Sequence, residues 1–148
     1  MKTPYFSQVN ASGSSGGSTE INGQEVSNFY IAQDGIITTY SENTTITLKS
    51  GTVLRNYGGM SAVRVSGGTL IMEKGSTITD TLSIIRTKGQ GGDGPAGAVW
   101  VQSGTVEMQE GSSIENLDGR AIYADGAESD VTVDGTISGI TGNDNMWN

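Results

Sequence analysis

A block of this chain repeats at a fixed spacing: Ile46-Thr47-Leu48 is followed 24 residues later by Leu70-Ile71-Met72, and Leu54-Arg55-Asn56 by Ile78-Thr79-Asp80. The block comes again after 36 residues as Val106-Glu107-Met108 and Ile114-Glu115-Asn116, which is one period plus a 12-residue insertion. Val131-Thr132-Val133 and Ile137-Ser138-Gly139 follow 23 to 25 residues further on. Each unit holds short runs of apolar and polar alternation separated by glycine, and a period of two is the mark of a strand. A unit this short cannot bury its apolar face alone, so successive units must stack on one another.

Composition narrows the choice further. Glycine makes up 23 of 148 residues, Ser, Thr and Asn are abundant, and no helical periodicity runs for any length, so the expectation is one all-β domain with helix nearly absent. The net charge is −8, and the eight Lys and Arg are scattered, leaving no basic stripe to neutralise phosphates. Nucleic acid is excluded as a partner on that ground. With no Cys and no His the chain lacks disulfides, thiolate metal sites and the usual proton shuttle at neutral pH. No apolar run approaches the length of a membrane span, and no signal peptide opens the chain, so export would need a signal outside it. An acidic, cysteine-free, Ser/Thr/Gly-rich repeat fits an extracellular position on a bacterial cell surface.

Phasing the alternation gives three short strands per coil. Val63 and Val65, Val99 and Val101, and Ile122 and Ala124 are expected to face inward on the first, with Arg64, Trp100 and Tyr123 outward between them. The second buries Leu70 and Met72, Val106 and Met108, Val131 and Val133, and the third buries Leu54, Ile78, Ile114 and Ile137. The coil before these has two registers. A strict 24-residue phase puts Thr39 and Ser41 inward and Tyr40 outward, whereas a two-residue loop at Glu42-Asn43 puts Ile37 inward, and apolar burial favours the second. Asn56, Asp80, Asn116 and Gly139 fall where the chain must turn, suited to left-handed backbone, and Gly51, Gly75 and Gly111 hold another corner. Residues 1–28 do not match the repeat, and their Ser/Gly-rich stretch reads as an arm or linker ahead of the repeat domain at 29–148.

Segments such as Ser66-Gly67-Gly68-Thr69-Leu70-Ile71-Met72-Glu73-Lys74-Gly75-Ser76-Thr77-Ile78 and Gly97-Ala98-Val99-Trp100-Val101-Gln102-Ser103-Gly104-Thr105-Val106-Glu107-Met108 resemble the glycine-threonine repeats of bacterial adhesin-like surface proteins. The resemblance covers about residues 44 to 140. It implies a right-handed parallel β-helix, a β-solenoid of about four coils, acting as an exported stalk or a binding module; the same coil also supports phage tailspikes and polysaccharide lyases.

Candidate sites are few. Arg64, Trp100 and Tyr123, joined by Tyr40 in one register, form an outward aromatic and cationic row of the kind on which sugar rings stack; the plainer reading is that these side chains stack on each other. The insertion at 86–97 leaves the coil beside Trp100, and its Arg86, Lys88 and Asp93 make it a candidate recognition loop for a glycan or a host or neighbouring surface protein. Its Gly89, Gly91 and Gly94 match a nucleotide-loop pattern, but no helix follows. Asp125, Glu128 and Asp130 could hold Ca²⁺ through oxygen ligands, although a solvated acidic turn is the plainer and favoured reading; no other cofactor is expected. Paired carboxylates on one face are lacking, which argues against a polysaccharide lyase or hydrolase. The expected role is therefore a non-catalytic adhesion module, spacer or binder. The alternative is a self-assembling filament subunit that pairs through open coil ends or the N-terminal arm.

Overall fold

The computed structural model describes residues 5–6, 9–11, 17–23, 25–28, 37–39, 42–56, 61–81, 97–118 and 120–141. Among these there is no helix, and the strands in chain order are β1 (Tyr5–Phe6), β2 (Val9–Ala11), β3 (Gly17–Ile21), β4 (Glu25–Asn28), β5 (Ile37–Thr39), β6 (Thr44–Leu48), β7 (Val53–Asn56), β8 (Ser61–Met72), β9 (Thr77–Thr81), β10 (Gly97–Met108), β11 (Ser113–Asp118), β12 (Arg120–Ala124), β13 (Ser129–Val133) and β14 (Thr136–Thr141). The strands are arranged in two open sheets, and every pairing between them is parallel.

The pairing sorts the strands into three columns visited in turn. One contains β2, β5, the first half of β8, the first half of β10, and β12. A second contains β3, β6, the later halves of β8 and β10, and β13. The third is β1, β4, β7, β9, β11 and β14. Three separate short strands per repeat were expected, but in β8 and β10 the first two run together into one strand of 12 residues. Glycine makes this continuity feasible. Gly67, Gly68 and Gly104 all have positive φ, and the ladder between β8 and β10 shifts register there and resumes at Thr69 and Thr105, so the strand bends without ending. A Cβ on Gly104 would collide with the backbone carbonyl of Gly68.

The periodic aliphatics fill the space between the columns. Val63, Val65, Val99, Val101, Leu70, Met72, Val106, Met108, Leu54, Ile78 and Ile114 are all fully buried, at the phase the alternation predicts. The last rung departs from that pattern: Ile122 and Val131 are only partly buried, Ala124 is exposed, and Val133 and Ile137 are exposed. They occupy the expected register, opposite Val99, Val106, Val101, Met108 and Ile114 respectively, but no described strand lies over them. For the earliest repeat, Ile37 pairs with Val63 and Thr39 with Val65, with a turn at Glu42-Asn43, which is the register that apolar burial favours.

The corners follow the expected chemistry. Gly51, Gly75 and Gly111 have φ of 83°, 83° and 85°, and their amides form an axial chain in which Gly51 donates to Gly75 at 2.9 Å and Gly75 to Gly111 at 2.8 Å. Asp80 and Asn116 both have φ of 52° and Gly139 has 64°. Buried hydroxyls also serve the turns: Ser76 and Ser112 donate to the carbonyls of Glu73 and Gln109, three residues back, and Thr52 donates to Ile21. The segment expected to be an arm or linker carries β1 to β4, with β3 paired to β6 and β4 to β7 in the registers of the columns.

Candidate functional site

Strand alternation and register together set up the outward row on the first column. Val99 and Val101 point into the core, so Trp100 between them lies on the outer face, paired in register with Arg64 on one side and Tyr123 on the other. The Arg64 guanidinium carbon stands 4.5 Å from the centroid of the Trp100 ring, and that of Arg120 stands 4.5 Å from the Tyr123 ring. Such stacking is worth about 0.5–2 kcal/mol per pair. The indole Nε1–H donates to Asp125 Oδ1 at 3.1 Å. Arg64 Nε and Ser66 Oγ both donate to Gln102 Oε1, at 2.9 and 2.6 Å.

These contacts close the row. Trp100 is only 7% exposed despite facing outward, because a cation covers its ring and a carboxylate takes its one donor. A sugar stacking on this ring would have to displace Arg64 and compete with Asp125. Sequence reasoning found Arg64, Trp100 and Tyr123 but missed three partners: Gln102, Ser66 and Arg120. Gln102 was legible, since it lies two residues beyond Trp100 on the same face. Arg120, three residues ahead of Tyr123, carries no periodic signal. Tyr40, Arg86, Lys88 and Asp93 lie outside the described residues, and the residue that pairs in register with Arg64 in the earlier rung is Thr38.

The acidic residues of the last repeat do not converge. Asp125, Glu128 and Asp130 are all exposed, Asp125 is engaged by Trp100, and among the described residues no group of three His, Cys, Asp or Glu is placed to hold a metal ion. Glu128 instead borders a shallow notch of about 240 Å³ at the bend between the first two columns. The notch is lined by Gly67, Gly68 and Gly104, the hydroxyl residues Thr69, Ser103 and Thr105, and Glu42 at the other side. It was not legible in the sequence, because Glu42 and Glu128 come from distant repeats. Its lining is mostly polar, made of backbone, hydroxyls and two carboxylates, with little apolar surface to grip a ligand.

On the outer face of the third column, Thr77 Oγ1 and Ser113 Oγ are 3.1 Å apart and hydrogen-bonded. Among the described residues no helix is long and apolar enough to cross a membrane. No protein-family model, curated protein or solved structure matches the chain.

Proposed function

We propose that the three columns belong to one right-handed parallel β-helix and that the chain is a non-catalytic spacer module of the bacterial cell surface, of the adhesin-like kind its glycine-threonine repeats resemble. The observation that carries this reading is the uninterrupted stacking of fully buried aliphatics across successive parallel strands, set against an outer face whose polar groups bond one another. The cyclic order β2, β3, β4, then β5, β6, β7, supports a winding chain, because each strand of one cycle pairs with its equivalent in the next. A spacer needs a stiff, soluble shaft and no cofactor, and a stack of parallel rungs with a net charge of −8 supplies both.

Glycan binding is the competing role, and the closed face of Trp100 weighs against it. A glycan array probed with the wild type and with Trp100→Ala separates the two. The spacer reading expects no signal that depends on Trp100. A signal present in the wild type and lost in the variant, with the β-sheet circular dichroism unchanged, would replace it by a sugar-binding module.

A further inference from the structure

Among the described residues, the first and last rungs differ from the others in having one unpaired edge. Among the described residues β12 and β13 pair only with β10, and β14 only with β11. At the opposite end β1, β2 and β3 pair only with β4, β5 and β6. Burial registers the consequence at the last rung, whereas at the first Thr19 is exposed and Ile21 is only 3% exposed. Met108 is 0% exposed and Val133, its register partner, 42%; Ile114 is 0% and Ile137 37%; Leu117 is 2% and Ile140 44%. Each pair has the same apolar character and the same place in the column, and the later member has no described strand over it.

We propose, resting on the winding described above, that this edge takes the first rung of a second copy of the chain, stacked head to tail. The registers determine what would meet. Ser18, Thr45, Thr69, Thr105 and Asp130 share one position, and the next three positions end in Val131, Thr132 and Val133. Continuing the column therefore sets Ser18 over Asp130, Thr19 over Val131, Glu20 over Thr132 and Ile21 over Val133. The strands run parallel across the junction, as they do within each copy, and no carboxylate faces another. The face-to-face arrangement would instead bring exposed Asp130, Asp134 and Glu128 against their own counterparts, with antiparallel edges that the fold uses nowhere among the described residues. A head-to-tail junction is heterologous and leaves each new end as open as the last, so it propagates.

The test is sedimentation or light scattering of the full chain from micromolar to millimolar concentration, with two single variants at exposed positions. Ile140→Asp charges the last rung and Thr19→Asp the first. The wild type is expected to form a concentration-dependent ladder of species. Each variant alone is expected to lose everything beyond a dimer-blocked monomer, and an equal mixture of the two to give a dimer and nothing larger. Assembly of the wild type that stops at a dimer, or self-association of Thr19→Asp alone, overturns the head-to-tail arrangement. So does assembly that begins only when residues 142–148 are removed, since the edge is then covered by the chain itself. A wild type that stays monomeric at all concentrations while keeping its β-sheet spectrum and cooperative unfolding overturns the stacking and leaves the winding standing.

Discussion

Single residues do two kinds of work in this chain, closing corners and closing the outer face. Gly104 shows the first. Its φ of 106° is costly for any L side chain, and an added methyl would strike the Gly68 carbonyl on the neighbouring rung, which is backbone and cannot swing aside. Gly104→Ala is expected to destabilise the protein by about 1–3 kcal/mol, measured as a lowered midpoint in urea with an unchanged slope. Trp100 shows the second kind of work. An outward aromatic can serve as a binding platform, yet here its surroundings use it up: Arg64 lies over the ring and Asp125 accepts its N–H. The residue type was readable in the sequence, while its occupancy depended on which side chains the rungs above and below placed beside it.

At the scale of the strand, position in the column matters more than residue type. Ile78 and Ile137 stand in the same register line of the third column, but Ile78 is fully buried between β7 and β11 whereas Ile137 is 37% exposed on the final strand. Ile78→Ala removes buried methylenes and leaves a cavity between two packed rungs, at a cost of about 2–5 kcal/mol. Ile137→Ala is expected to cost less than half as much, because much of its surface is already in water; equal losses in thermal or chemical unfolding would show that the last rung is covered. Ion pairs reinforce neighbouring strands at their edges. Lys49 lies 3.1 Å from Glu73 and 3.8 Å from Glu20, and the hydrogen bond to Glu73, followed by the charges of Glu20 and Glu73, holds its ammonium pKa above the ordinary lysine value. Arg55 bridges Glu25 and Asp80 in the same way, at 3.3 and 3.1 Å. These part-exposed pairs align rungs and, screened by solvent, add little to stability.

For the molecule as a whole, stacking equivalent rungs makes stability close to a sum over nearest neighbours. The proposed winding then makes a sharp prediction about deletions. Removing residues 45–68 joins Thr44 to Thr69, which restores the register because Thr45 pairs with Thr69, and takes out one full cycle of the columns. That variant is expected to fold with an unchanged β-sheet spectrum and a lower unfolding midpoint. Removing only residues 45–56 brings the wrong columns into sequence and is expected to leave the chain unfolded or aggregated. If both deletions behave alike, the rungs are not interchangeable and the winding is wrong.

The period and the alternation by themselves determined which residues are inward, which strands are equivalent and where the chain turns. Those are local consequences of a two-residue side-chain period and of the few residue types that accept positive φ, as at Gly51, Gly75, Asp80 and Asn116. The place of residues 17–28 in the columns was hidden because their match is one of register rather than of residues, and only pairing of β3 with β6 and β4 with β7 reveals it. The fusion of two strands at Gly67-Gly68, the closure of Trp100 and the exposure of Val133, Ile137 and Ile140 were decided by tertiary structure alone. Each depends on what lies on the adjacent rung, and a neighbour in space that is far along the chain leaves no mark on the local sequence.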